Sequence, residues 1–122
     1  MKTYLVGILY HEPEPWALYQ KGIIEDYESS TGLFITAATE SEALAWGEHV
    51  AEKLLQKVNH DNSLNWKNLG YQCWIEADPE NSHWRHCLSF FQTINAGQLP
   101  KIEGMGTEAY ELWAQKNGAT HA

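Results

Sequence analysis

Basic residues are scarce in this chain. Across 122 residues there are eight Lys and Arg, Arg85 being the only arginine, against sixteen Asp and Glu, for a net charge of -8. That balance argues against binding a nucleic-acid backbone, which needs a basic stripe to displace counterions. It argues equally against an anionic membrane surface, and it suits a basic protein partner, cations or plain solubility. Cysteine is also sparse. Cys73 and Cys87 are the only two, too few for a disulfide framework, so the expected setting is the cytoplasm with both thiols reduced. No apolar run approaches the ~18 residues of a membrane span. Residues 4–10 are too short for a leader, contain Gly7 and end at His11-Glu12-Pro13 without a small-residue cleavage site, so they read as a strand. There is no internal repeat, no low-complexity tract, no Gly-rich phosphate loop and no nucleophile–base triad.

Aromatic residues, by contrast, are plentiful. Six Trp and six Tyr help bring the aromatic share to 12%, within a hydrophobic share of 43% and a charged share of 20%. This is the composition of a folded chain. The length suits one domain over residues 1–118, with 119–122 expected to fray.

Residues 33–58 organise the rest. Leu33, Phe34, Ile35, Thr36 and Ala37 are β-prone, and Thr39-Glu40-Ser41-Glu42 then forms a capping box. In such a box the Thr39 hydroxyl accepts from the N–H of Glu42, and the Glu42 carboxylate reaches back to the N–H of Thr39. Ala43, Gly47, Val50, Ala51, Leu54 and Val58 follow at helical spacing and predict the buried stripe. Glu48, His49, Glu52, Lys53, Gln56 and Lys57 fall on the outer face, acids early and lysines late, as the helix dipole favours. The small inner residues invite close approach, with Gly7 of the first strand as the expected neighbour.

The remaining elements follow from local pattern. Residues 4–10, apolar on both faces, read as a covered central strand. Residues 15–20 read as a short turn or helical piece. Residues 22–28 read as a strand in a hairpin with 33–38, through the polar link Ser29-Ser30-Thr31-Gly32. The alternation of Tyr71, Cys73, Ile75 and Ala77 with Gln72, Trp74 and Glu76 predicts a half-buried strand with Trp74 on its more exposed side. A strand–helix–strand order makes 33–38 and 70–77 parallel. Asp78-Pro79 opens a predicted helix whose face carries Trp84, Cys87, Leu88, Phe91 and Ile94, ending at Gly97. A short helix capped by Thr107 closes the chain. The expected fold is α+β, a two-layer sandwich of a four-stranded, mostly antiparallel sheet with helices on one face.

Four clusters are candidates for chemistry. Cys73, His83, His86 and Cys87 have zinc-type donors, but their spacing matches no compact knuckle, and buried thiols acting as small hydrophobes are the simpler account. No metal or cofactor is therefore expected. His83, Arg85 and His86 stand in the first turns of the predicted helix, where an anion could be held, with Glu76 and Asp78 close by; a solvated surface is the plainer alternative. The acidic run Glu25-Asp26-Tyr27-Glu28 lacks a calcium-loop ladder and fits edge protection better. Lastly, Trp16, Tyr19, Trp66 and Trp74 are hard to bury together in a core of this size, and exposed aromatics anchor interfaces.

These observations predict a small acidic binding or accessory protein, more binder than enzyme, acting through an aromatic surface on a protein partner or on a second copy of itself. The rival expectation is a small-molecule binder or enzyme using His83, Arg85 and His86, in a pocket at the end of strand 70–77.

Overall fold

The computed structural model describes residues 1–10, 13–22, 29–69 and 71–117. Its elements are β1 (Lys2–Tyr10), α1 (Pro13–Gln20), β2 (Ser29–Ala37), α2 (Glu40–Val58), β3 (Gln72–Glu76), β4 (Thr93–Asn95) and α3 (Thr107–Asn117), with short 3-10 turns between them. The fold is α+β, built on a four-stranded mixed sheet of order β3-β1-β2-β4. β1 pairs antiparallel with both β2 and β3, and β4 runs parallel to β2. β2 and β3 therefore point the same way, as the strand–helix–strand order predicts, with β1 between them.

The hairpin expectation needs correcting. The partner of β2 is β1, in register from Lys2↔Ala37 to Tyr10↔Ser29. The link Ser29–Gly32 is itself strand, because its residues continue that ladder. Residues 23–28, with the acidic run, lie outside the described residues.

Strand alternation sends Val6, Ile8, Leu33, Ile35, Cys73, Ile75 and Ile94 to one face. α2 packs there, and Val6, Ile8, Leu33 and Ile35 are completely buried. Burying each such side chain is worth about 1.5–3 kcal/mol. The α2 cap forms as the sequence implies, with Thr39 Oγ1 accepting from the Glu42 N–H at 3.1 Å. The return contact differs, since Glu42 Oε1 accepts from the Ala38 N–H at 3.5 Å rather than from Thr39. The buried stripe is Ala43, Gly47, Val50, Ala51, Leu54, Leu55 and Gln56. Val58 is exposed and Gln56 is buried, the reverse of expectation. The chain folds back past the helix end, and Gln56 Nε2 donates to Leu64 O at 3.0 Å.

Gly47 does receive a close neighbour, but it is Val6. A Cβ on Gly47 would stand 2.7 Å from Val6 Cγ1. Gly7 faces the other way, and there it serves a different purpose. The Trp74 indole lies across it from the neighbouring strand, filling the place a side chain would take. Beside it, a Cβ on Gly32 would stand 3.0 Å from Trp84 Cζ3. Gly7 and Gly32 are directly paired, so two stacked indoles, Trp74 and Trp84, with centroids 5.8 Å apart, cover adjacent glycines on two strands. Aromatic cover of a cross-strand glycine restores packing that the glycine forfeits. Trp74 is thus half-buried, and its Nε1–H donates to Glu76 Oε1 at 2.8 Å.

The predicted helix from Asp78 to Gly97 does not form. In its place are 3-10 turns at Pro79–Asn81 and Arg85–Phe90, then strand β4. Cys87 breaks the second turn with φ -132°. The side chains of Trp84, Cys87, Leu88 and Phe91 meet the predicted demand for burial without α-helical geometry, forming a second cluster with Leu5 and Phe34. β4 supplies the fourth strand in the sheet. Among the described residues, no helix is long and apolar enough to cross a membrane.

Candidate functional site

The second cluster leaves a cavity at its rim. The 3-10 turn Arg85–Phe90 is too short to cover the sheet alone, and α3 approaches it from the far end of the chain. The Thr31 hydroxyl, buried at the start of β2, donates to Met105 O at 3.2 Å and ties the residues before α3 to the sheet. Phe90 packs edge-on against Tyr110 of α3, with centroids 5.3 Å apart and planes at 89°, a favourable aromatic geometry. It also neighbours Trp113, at 5.7 Å, and Phe91, at 5.9 Å. His86 Nε2 and the Tyr110 hydroxyl are 3.2 Å apart and share a hydrogen bond whose direction depends on the histidine tautomer.

Between these pieces lies a cavity of about 310 Å³. Ser30 and Thr31 form its floor, Met105, Gly106 and Tyr110 one wall, and the 3-10 segment the other wall. That second wall presents His83, Trp84, His86, Cys87, Phe90 and Phe91. None of these described lining residues is Asp, Glu, Lys or Arg. The walls are therefore aromatic and uncharged apart from the imidazoles, with hydroxyls at a few points. Burial pushes the Cys87 thiol up, so at neutral pH it stays a protonated, weakly nucleophilic group.

The sequence candidates distribute unevenly around this cavity. His83 and His86 line it. Arg85, between them in sequence, is exposed and points elsewhere. Trp74 stands behind the wall, stacked on Trp84. Glu76 is engaged by Trp74, and Asp78 accepts from Asn81 Nδ2 at 2.7 Å, so neither carboxylate lines the cavity. There is no helix N-terminus at His83–His86 to gather an anion, because the helix is a pair of 3-10 turns. Trp66 lies on the opposite side of the sheet, 1% exposed, with its Nε1 unpartnered and its ring 4.8 Å from that of Tyr71. It is core, not surface. Tyr19, on α1, is 40% exposed and away from the cavity. The side chain of Trp16 lies outside the described residues.

The Cys/His tetrad is divided by the sheet. Cys73 faces α2, its Sγ 3.9 Å from Leu44 O, while His83, His86 and Cys87 are on the other side. Its thiol is pushed up to about 12, by burial first and the Glu48 carboxylate second. Among the described residues no group of three His, Cys, Asp or Glu side chains is placed to hold a metal ion.

Thr31, Met105 and Tyr110 are the site residues that sequence reasoning missed. One signal was present. Tyr110 and Trp113 are three apart on a short helix, an aromatic pair that needs a partner surface. No known protein family, curated protein or solved structure matches this chain.

Proposed function

We propose that this chain is a small-molecule-binding protein whose ligand site is the cavity between the 3-10 segment and α3. The observation that carries the proposal is the cavity itself. Its volume of about 310 Å³, its aromatic walls and its few convergent polar groups are the usual features of a ligand site. Both cysteines are free, which suits a reducing compartment such as the cytoplasm. The test is an amide-shift NMR titration of the labelled full chain with a fragment set. Shifts are expected to cluster at Thr31, Cys87, Gly106 and Tyr110. A set that perturbs none of these amides, or only distant ones such as Lys53 of α2, refutes the reading.

A second reading, association with a protein partner or a second copy through an aromatic surface, draws on the sheet edge. Tyr71, 44% exposed, precedes edge strand β3, and with Gln72, Cys73 and Trp74 it borders a shallow depression. Sedimentation across a concentration series tests it. A concentration-dependent dimer abolished by Tyr71→Glu would favour this reading, and a monomer at all concentrations with no captured partner would remove it.

A further inference from the structure

We infer that the cavity takes a fused two-ring aromatic molecule carrying one neutral hydroxyl, which meets the protein at the His86–Tyr110 pair. This rests on the cavity being the ligand site. Size comes first. An apolar protein cavity of about 150 Å³ holds benzene, and this one, at about 310 Å³, is twice as large. Two fused rings match that space. Shape and polarity follow from the walls: Trp84, Phe90 and Phe91 present flat aromatic surfaces, whose offset or edge contacts favour another aromatic ring over a saturated one.

Charge is disfavoured by the same walls. Apart from the imidazoles of His83 and His86, no charge-bearing side chain is among the described lining residues, so a cationic ligand would lose hydration without gaining a counter-charge, and an anion could draw one only from those imidazoles. The hydroxyl is selected by what Tyr110 has left to offer. A phenol both donates and accepts, and His86 uses one of these capacities at 3.2 Å. If His86 accepts, the Tyr110 oxygen retains acceptor capacity; if His86 donates, the Tyr110 proton is free. A ligand hydroxyl, which both donates and accepts, can meet the pair in either tautomer. A ketone or ether can meet it only in the one where His86 donates. Thr31, a buried hydroxyl of the lining, already donates to Met105 O.

The experiment uses four probes on the full chain: 2-naphthol, naphthalene, 2-naphthoate and phenol, titrated with the Cys87 and Gly106 amides as readout. 2-Naphthol is expected to bind about tenfold tighter than naphthalene, the contribution of one satisfied hydrogen bond. It is expected to bind tighter than phenol and 2-naphthoate too. Tyr110→Phe should erase the difference in affinity between 2-naphthol and naphthalene. The probe comparison in the unmodified protein stands by itself if that variant fails to fold. Equal binding of 2-naphthol and naphthalene overturns the hydroxyl assignment and leaves the cavity as the site. Tightest binding by phenol overturns the two-ring size, and tightest binding by 2-naphthoate overturns neutrality. Silence from all four, with other fragments shifting the same amides, overturns the ligand class alone. Silence from the fragments as well overturns both readings.

Discussion

Replacing Gly7 by alanine isolates the contact on which the second face of the sheet depends. Gly7 is in the middle of β1, and a Cβ there would overlap the Trp74 indole. The ring has one way out, because β3 is an edge strand, and swinging outward breaks two interactions. The hydrogen bond from Trp74 Nε1 to Glu76 is worth about 1 kcal/mol net. The stack on Trp84 is worth about 1 kcal/mol more. Against this, alanine is better than glycine within a strand by about 0.5–1 kcal/mol. The expected net loss is about 1–1.5 kcal/mol, and at about 2.1 cal/mol/K of unfolding entropy per residue this lowers Tm by about 5 °C. The assay is thermal unfolding of the four proteins of a double-mutant cycle: unmodified, Gly7→Ala, Trp74→Ala and both together. With the indole gone, Gly7→Ala should raise Tm by about 3 °C, since only the backbone gain remains. A coupling of about 2 kcal/mol between the sites follows, within the usual range for residues in contact. An equal loss from Gly7→Ala with and without Trp74 would refute the account, because the strain would then lie elsewhere.

Three further expectations are independent of that pair. Gly47→Ala in α2 should destabilise by about 1 kcal/mol despite the helix preference for alanine, because overpacking against buried Val6 outweighs it; a rise in Tm on thermal unfolding would contradict this. Stability should fall at alkaline pH. Below about 8.5 Cys73 is protonated folded and unfolded; above it the unfolded thiol ionises, whereas the folded thiol holds its proton to about 12. The unfolded state then binds fewer protons, and urea denaturation should show stability falling between these pH values, an effect reduced in Cys73→Ala. Trp66→Phe should lie within about 1 kcal/mol of the unmodified protein by denaturant titration, because removing the unpartnered indole N–H offsets the lost volume. Trp66→Ala should cost about 3–5 kcal/mol.

What could be read from the sequence was local and strongly periodic. α2 was legible because Thr39 and Glu42 mark its start and Ala43, Gly47, Val50, Ala51 and Leu54 repeat one face. β1 was legible because both its faces are apolar. Residues 79–95 were misread because Trp84, Cys87, Leu88 and Phe91 sit at spacings of three, one and three, which satisfy a helix pattern. The same side chains bury equally well from a 3-10 turn, and the β-branched Thr93-Ile94 pair then serves a strand. Of the cavity lining, only His83, His86 and Cys87 stand among the sequence candidates. The rest is not local information. Thr31 and Tyr110 are brought together by the Thr31–Met105 hydrogen bond and by Phe90, and no spacing in the chain encodes that meeting.

The pairing of β4 with β2 has a consequence for when the cavity exists. β1, β2 and α2 close over short and medium separations, but Phe34 meets Thr93 across about sixty positions and Leu5 meets Glu76 across about seventy, and such loops close late. β4, the 3-10 segment and the tie to Met105 therefore belong to the late-forming and early-opening part of the molecule. Hydrogen exchange should be slowest at Val6, Ile35 and Val50 and faster at Ile94, Cys87 and Tyr110. A ligand in the cavity would slow the second group while leaving the first unchanged. Occupancy would then be felt as the closing of the C-terminal third upon a framework that is already folded.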